Sequence, residues 1–157
     1  MKKTTAAMVT TKKVMTVTPD WSVDRLLEFL SNNSITGVLV VNKAAEPIGV
    51  VSLTDIARNG ALTEKTDQVV PAYYGQSLER FVAPEEMARF HVDPESQTTV
   101  RDIMTPVIFA VEEDTSVQEV AEMMITGRIH RVFVKHAGKL TGIITSMDLL
   151  PLIRDAT

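Results

Sequence analysis

The sequence predicts an α/β (α+β) fold made of two copies of one β-α-β-β-α unit, packed against each other about a pseudo-two-fold axis. The phrase GVVSLTD at 49–55 returns as GIITSMD at 142–148. Residues 9–41 also align with residues 103–135 without a gap. In each copy a helical apolar stripe is followed by two strand-sized apolar runs. Because about 50 residues of this kind cannot close a core alone, we expect the two copies to pack together.

Composition and charge narrow the class of protein. The chain has 157 residues, of which 45% are hydrophobic and 23% are charged, and this excludes a disordered or fibrous protein. The absence of cysteine excludes disulfides and thiolate catalysis and favours a reducing cytoplasm. A net charge of −4 disfavours nucleic-acid binding. The longest apolar runs are strand-sized, and the basic N-terminus lacks a secretion signal's apolar core, so no membrane association is expected.

The register of the repeat depends on polar residues that match at a shift of 94, namely Thr11 with Thr105 and Asp20 with Asp114. One residue is then lost in a turn, and at a shift of 93 Asp55 meets Asp148. A competing alignment of VMT at 14–16 with IMT at 103–105 puts these aspartates out of step, and we reject it.

Helix signals open each copy. The sequences DWSV and DTSV predict helix starts, and Ser116-x-x-Glu119 has the form of a capping box. Apolar residues then recur at helical spacing at Leu26, Leu27 and Leu30 and at Val120, Met123 and Met124. The stripes end near Asn32-Asn33 and Gly127, residues suited to helix C-termini.

Two strands and a second helix complete each copy. The runs GVLVV at 37–41 and RVFVK at 131–135 predict the first strands, and IGVVS and TGIIT predict the second. Nearly continuous apolar strands need cover on both faces. The chain then enters another helix at Asp55 and at Asp148.

The middle segment from Gly60 to Thr99 is expected to be an ordered excursion, since it carries four of the eight aromatic residues and a disordered linker would carry few. SLERFVAPEEMARF predicts one or two short helices broken at Pro84. Tyr73 and Tyr74 are expected to cover the core, with stacking on a ligand base as the alternative. The predicted division is repeat 1 at 1–59, the insertion at 60–99 and repeat 2 at 100–157.

These motifs resemble a tandem pair of cystathionine-β-synthase (CBS) domains in a stand-alone protein. The resemblance rests on VRDIMTP at 100–106, the two S-V helices, RIHRVFV at 128–134 and the two G-h-h-[ST]-x-x-D phrases. It covers residues 9–58 and 100–153. The resemblance implies a regulatory module whose inter-repeat clefts bind adenosine derivatives, and it implies homodimers formed through the helices.

The resemblance also assigns site residues. Asp55 and Asp148 match the ligands of the ribose hydroxyls. Phosphate-side hydroxyls match Ser52, Thr54 and Thr145, whereas Met147 lacks one, which favours the Asp55 site. Positions that touch adenine and phosphate match Ile35, Thr36, His130 and Arg131, with Arg128 close by. Segments that line the cleft match Thr11, Lys12, Lys13, Thr105, Pro106 and Val107. Which basic residues join which aspartate stays open.

Plainer interpretations exist for each group. Ser, Thr and Asp at a strand-to-helix junction are the preferred helix caps, with or without a ligand. His130 and Arg131 could form a solvated strand end. Met123 and Met124 are expected to fill a helix interface.

The motifs predict a binding protein and not an enzyme. The three histidines lack metal-ligand spacing, and no P-loop, G-x-S-x-G or strand-linked G-x-G-x-x-G occurs. We expect a cytoplasmic sensor of AMP, ADP or ATP that needs no metal. Since the chain begins at Met and carries nothing else, its output would reach a separate protein. The alternatives are a ligand-free constitutive dimerisation module and a sensor of S-adenosylmethionine or NAD-type ligands.

Overall fold

The computed structural model describes residues 3–60, 72–75 and 97–156. The short helices expected around Pro84 lie outside the described residues. In chain order the elements are α1 (Ala6–Val9), β1 (Thr16–Val17), α2 (Val23–Asn32), β2 (Gly37–Val41), β3 (Pro47–Ser52), α3 (Leu53–Gly60), α4 (Ala72–Gly75), α5 (Val100–Ile103), β4 (Ala110–Glu112), α6 (Val117–Gly127), β5 (Arg131–His136), β6 (Lys139–Thr145) and α7 (Ser146–Arg154). The predicted β-α-β-β-α order is confirmed in both repeats, from β1 to α3 and from β4 to α7.

The sheets of the two repeats have the same topology. In the first sheet β1 runs parallel to β2, and β3 is antiparallel to β2. In the second sheet β4, β5 and β6 repeat this arrangement. Each hairpin has one irregularity of register, after Val40 in repeat 1 and after Val134 in repeat 2, positions that match at the shift of 94. The internal repeat therefore extends to the details of strand pairing.

The described residues form two compact units. The repeat-1 unit contains residues 15–60, 72–73 and 97–108, and the repeat-2 unit contains residues 3–14, 74–75 and 109–156. Each unit thus takes its leading segment from the other repeat. We call residues 3–14 the first arm and residues 97–108 the second arm. The sequence division at residues 59 and 99 stays a prediction.

The first arm is held on the repeat-2 unit by main-chain pairing. Thr11 and Ile143 exchange two N–H···O bonds of 2.9 Å, and Thr5 forms an antiparallel bridge with Ser116. The Ala6 N–H donates to Thr115 O at 2.7 Å. These bonds satisfy backbone groups that burial would otherwise leave unpaired.

The second arm makes the equivalent bonds on the repeat-1 unit. Thr105 and Val50 exchange two bonds of 2.9 Å, and Thr99 bridges Ser22. Every bridging residue of one arm matches its counterpart at a shift of 93 or 94. The exchange of arms is therefore a regular feature of both repeats.

The arms explain the glycine of the repeated phrase. A Cβ on Gly49 would lie 2.8 Å from Thr105 O, and one on Gly142 would lie 2.3 Å from Thr10 Oγ1. Both distances are closer than van der Waals contact allows. Glycine is thus required because an arm crosses the strand there.

Helix limits follow the predicted caps. The Ser116 Oγ accepts the Glu119 N–H at 3.3 Å, and the Glu119 carboxylate accepts the Ser116 N–H at 3.0 Å, so the predicted capping box is confirmed. α2 ends at Asn32, and α6 ends at Gly127. The buried side chain of Met124 confirms the expected packing role for that residue.

The described residues of the insertion include two buried aromatic residues. Tyr73 is 4% exposed in the repeat-1 unit, and Tyr74 is fully buried in the repeat-2 unit. The Tyr74 ring makes edge-to-face contacts with Phe109 and Phe133. The expectation that both tyrosines cover the core is confirmed.

Candidate functional site

The two motif aspartates occupy the first turns of α3 and α7. No loop separates β3 from α3 or β6 from α7, so each aspartate lies three residues after the last residue of a strand. The Asp148 Oδ2 accepts hydrogen bonds from the Thr145 N–H at 2.8 Å and from Thr145 Oγ1 at 3.0 Å. In repeat 1, Asp55 Oδ2 accepts from the Ser52 N–H at 2.7 Å and from Ser52 Oγ at 3.1 Å. Both carboxylates are partly buried.

The same pair of bonds caps α5, where Asp102 accepts from the N–H and Oγ1 of Thr99 at 2.8 and 3.1 Å. Since this helix lies outside the repeated phrase, capping alone accounts for the bonds that the motif aspartates make. Those bonds use Oδ2 of each carboxylate. Among the described residues, none donates a hydrogen bond to Oδ1 of Asp55 or Asp148, so this oxygen can accept from a further donor.

Burial distinguishes Asp55 from an ordinary cap. Desolvation raises the pKa of Asp55, and it outweighs the opposing effects of the Ser52 hydrogen bonds and the Arg58 charge. The exposed Asp102 has a lowered pKa, because its hydrogen bonds from Thr99 outweigh the desolvation of its carboxylate. Asp55 is thus a carboxylate in surroundings that disfavour its charge.

The turn before the central strand, which we call the pre-strand turn, is joined to the start of the following helix. It contains residues 34–37 in repeat 1 and residues 128–131 in repeat 2. The Ser146 N–H donates to His130 O at 2.9 Å, and the Leu53 N–H donates to Thr36 O at the same distance. The structure therefore places His130 beside the start of α7 and Thr36 beside the start of α3. The half-buried Ile35 precedes Thr36 in this turn.

Arg131 is buried at the start of β5, with only 6% of its surface exposed. The alternative of a solvated strand end is therefore wrong for this residue. A guanidinium keeps its charge at all ordinary pH values, and burial of a charge needs polar or ionic compensation. Its neighbour His130 is half-buried, and the His130 N–H donates to Tyr74 O at 2.9 Å. The insertion thus helps to position the pre-strand turn of repeat 2.

The exchange of arms decides which leading residues lie in the same unit as each aspartate. Thr11 pairs with Ile143, two residues before Thr145, so Thr11, Lys12 and Lys13 belong to the unit that contains Asp148. Both lysines are exposed. Because the bridge is antiparallel, the chain after Thr11 runs toward the start of β6 and away from the start of α7.

The second arm supplies apolar residues to the unit that contains Asp55. Thr105 pairs with Val50, two residues before Ser52, and Pro106 and Val107 follow it as exposed residues. Thr54 is half-buried in the first turn of α3. We call the two sets the repeat-2 site (Thr11, Lys12, Lys13, His130, Arg131, Thr145, Asp148) and the repeat-1 site (Ile35, Thr36, Ser52, Thr54, Asp55, Thr105, Pro106, Val107).

Two further clefts occupy matching places at the hairpin ends of the sheets. One, of about 550 Å³, is lined in part by Glu112, Glu113 and His136, and the other, of about 790 Å³, by Asp20, Lys43 and Arg101. No residue of either predicted site lines them. They lie at the opposite sheet end from the motif aspartates.

Two kinds of feature are absent from the described residues, a cluster of metal ligands and a membrane-spanning helix. Within residues 3–60, 72–75 and 97–156, no group of three or more His, Asp or Glu side chains is arranged to hold a metal ion. In that same part of the chain, no helix has the length and apolarity needed to cross a membrane.

Comparison with known proteins places the chain among known folds. The CBS domain model matches residues 6–61 and 100–155. An uncharacterised protein of Methanocaldococcus jannaschii, MJ1426, is 27% identical over 88% of this chain and 85% of its own length. Three other curated relatives are longer, and the chain spans 33%, 54% and 63% of their lengths.

Solved structures share the fold at lower identity. CBSX2 in complex with AMP has a TM-score of 0.67 and 23% identity, with 98% of each chain covered. The CBS domain pair of MJ0100, in complex with 5′-methylthioadenosine and S-adenosylmethionine, has a TM-score of 0.65 and 20% identity, with 99% of this chain and all of that chain covered. The matched residues, the repeated sheet topology and these neighbours lead to one conclusion: the chain belongs to the CBS-domain family, with two CBS domains in tandem.

Proposed function

We propose that this chain is a regulatory module that binds an adenosine-containing nucleotide, AMP, ADP or ATP, and passes the state of its sites to a partner protein. CBSX2 was solved with AMP, and the MJ0100 pair was solved with two other adenosine compounds. These neighbours support an adenosine ligand, and the choice of a phosphate-bearing ligand comes from the residues of this chain.

The observation that carries the proposal is the group of residues around the start of α7. The Ser146–His130 bond joins the pre-strand turn to this helix terminus, and Asp148 lies in its first turn. The partial positive charge of a helix N-terminus favours an anion such as phosphate. The Asp148 carboxylate can accept hydrogen bonds from the two hydroxyls of a ribose.

Signalling requires that the ligand bind one arrangement of the protein more tightly than another. The receiver is proposed to be a separate protein, and the module itself is proposed to form a homodimer. Apolar side chains on α6 and α7 of the repeat-2 unit support dimerisation, because Ile125, Leu150 and Ile153 are all exposed. Their counterparts in repeat 1 are Ser31, Ala57 and Gly60.

A ligand-free dimerisation module is the second candidate. The cap formed by Thr99 and Asp102 favours it, since the same bonds occur there outside the repeated phrase. In that case Asp55 and Asp148 stabilise their helices and do nothing more.

Thermal unfolding in the presence of ligands tests the proposal. The protein is heated with millimolar AMP, ADP, ATP, S-adenosylmethionine or NADH. A ligand present at a hundred times its Kd adds about 2.7 kcal/mol to the free energy of unfolding. For a chain of this size the melting temperature should then rise by roughly 5–10 °C.

Matched variants separate binding from capping. Asp148→Ala and Asp55→Ala each remove a cap together with a proposed ribose ligand. Glu119→Ala removes the cap of α6 and an exposed 3.8 Å ion pair with Lys3, but no proposed ligand contact. We expect all three variants to lose stability without ligand. Only the two aspartate variants should lose part of the nucleotide-induced shift. An absence of any shift in the unmodified protein would support the ligand-free module.

A further inference from the structure

We infer that the two sites select adenosine compounds of different charge. The repeat-2 site takes a phosphate-bearing nucleotide, and the repeat-1 site takes an adenosine compound without phosphate, such as adenosine or S-adenosylmethionine. This inference rests on the proposed function and assigns a ligand class to each site.

The backbones of the two pre-strand turns are equivalent. Arg128 and its counterpart Ser34 both adopt the left-handed conformation, with φ of 51° and 53°. The next residue of each turn donates its N–H to the preceding helix, at 3.0 Å in repeat 2 and 3.1 Å in repeat 1. Each turn is also joined to its following helix by a 2.9 Å bond. The sites therefore differ in side chains on a shared backbone frame.

The side chains of these turns differ in charge. Repeat 2 has Arg128, His130 and the buried Arg131, where repeat 1 has Ser34, Thr36 and Gly37. Arginine binds phosphate in two-pronged geometry, and a hydrogen bond to a charged group contributes more than a neutral one. The turn joined to the start of α7 therefore carries three basic residues, whereas the turn joined to the start of α3 carries none. The hydroxyls of repeat 1 do not offset this difference, because they are uncharged and the fully buried Ser52 Oγ already donates to Asp55 at 3.1 Å.

Packing keeps a cation out of position 37. A Cβ on Gly37 would lie 2.6 Å from Cδ2 of Tyr73, well inside contact distance. The Tyr73 ring is 4% exposed and cannot move aside cheaply. The insertion thus prevents a side chain at the position where repeat 2 has Arg131.

The exchange of arms adds to this difference. It gives Lys12 and Lys13 of the first arm to the unit that already holds Arg131. In exchange, the repeat-1 unit receives Pro106 and Val107. Had each arm stayed with its own repeat, the basic residues would be divided between the two sites. The arms concentrate positive charge in one unit, and such charge attracts anions over several ångströms.

The repeat-1 site has one described cation near its aspartate. Arg58 lies one helical turn after Asp55 on α3, and its charge acts on that carboxylate. Arg58 thus compensates an acid that is already partly buried. A phosphate at the start of α3 would face this acid without a basic pre-strand turn, whereas an uncharged or cationic adenosine compound meets no such repulsion.

Calorimetric titration of the full chain tests the inference with AMP, adenosine and S-adenosylmethionine. The variants are His130→Thr, which introduces the repeat-1 residue, Arg131→Gln, and the exposed double variant Lys12→Gln/Lys13→Gln. His130→Thr and Arg131→Gln should weaken AMP binding about 10- to 150-fold, the range for a hydrogen bond to a charged group. The lysine pair should weaken it roughly 2- to 5-fold, as expected for exposed charges. Adenosine binding should change less than about 2-fold in all three.

The site assignment is tested with the aspartate variants and with Glu119→Ala, which removes the cap of α6, as the control. Asp148→Ala should abolish AMP binding, and Asp55→Ala should abolish a separate binding event seen with adenosine. Equal weakening of AMP and adenosine by His130→Thr and the lysine pair would overturn the inference, even if Arg131→Gln fails to fold. AMP binding lost in Asp55→Ala and kept in Asp148→Ala would also overturn it. Binding of no adenosine compound would instead refute the proposed function on which it rests.

Discussion

Replacement of Tyr74 by phenylalanine offers a defined test of how the insertion supports the repeat-2 unit. The tyrosine hydroxyl accepts a hydrogen bond from the Phe109 N–H at 3.1 Å, and the side chain is fully buried. Its ring contacts Phe109 and Phe133 with centroids 4.7 and 6.3 Å away. Tyr74→Phe keeps the ring and removes the acceptor.

The loss should come mainly from the stranded N–H of Phe109. Phe109 is half-buried, and a donor that loses its partner away from water costs about 1–3 kcal/mol, while the preserved ring leaves only a small cavity. At 2–4 °C per kcal/mol for a chain of this length, the melting temperature should fall by roughly 2–12 °C.

Urea unfolding measures the change in the free energy of unfolding. Hydrogen exchange of the Phe109 N–H shows whether the loss of stability arises at this donor. Tyr74→Leu serves as the comparison, since it removes the ring contacts together with the hydroxyl and should cost roughly 2 kcal/mol more. A Tyr74→Phe protein that unfolds within 0.5 kcal/mol of the unmodified chain, with Phe109 still protected, would refute the reasoning.

Two further predictions concern charge and association. The pKa of Asp55 in the folded state is raised above its ordinary value near 4. Between the unfolded-state pKa and the folded-state pKa, the folded protein therefore binds more protons than the unfolded chain. Stability consequently falls as the pH rises through this interval. In urea titrations from pH 4 to 7, Asp55→Asn should therefore gain stability relative to the unmodified protein as the pH rises. Asp102→Asn serves as the contrast, because the pKa of Asp102 is lowered in the folded state. It should be less stable than the unmodified protein at neutral pH, and this difference should shrink as the pH falls below about 4. If the stability of Asp55→Asn and of the unmodified chain changed equally with pH, the raised pKa of Asp55 would be contradicted. Ile153→Glu should shift a homodimer toward monomer in sedimentation velocity, because it puts a charge on an apolar surface, whereas Glu at the exposed repeat-1 residue Ser31 should not; a dimer that survives Ile153→Glu would exclude this face.

Local patterns predicted most of the elements. The stripes at Leu26 and Val120 marked helices because their apolar faces recur every 3.6 residues, and the Ser116 capping box marked a helix start through contacts within one turn. The single-turn helices α1 and α5 were not predicted. Four residues carry no periodicity, and tertiary bonds such as Ala6 N–H to Thr115 O hold them.

The exchange of arms could not be predicted from local sequence patterns. Both arms match each other in sequence, so each could have paired with either strand, and the choice depends on contacts between distant residues. The repeated glycines indicated that a segment packs closely against each strand, since Gly142 leaves room for Thr10 and Thr11. The local sequence does not show which segment this is. The site residues could be listed from the sequence, while their grouping around Asp148 or Asp55 could not.

The pairing of the first arm affects how the protein folds during its synthesis on the ribosome. The hydrogen bond from Thr10 Oγ1 to Ile143 O joins residues 133 positions apart. At a synthesis rate of about 5–20 residues per second, roughly 7–27 s pass between the synthesis of the first arm and that of the strand β6 with which it pairs. The first arm thus docks long after it has been made, and until then the nascent chain exposes it to chaperones or other bound factors.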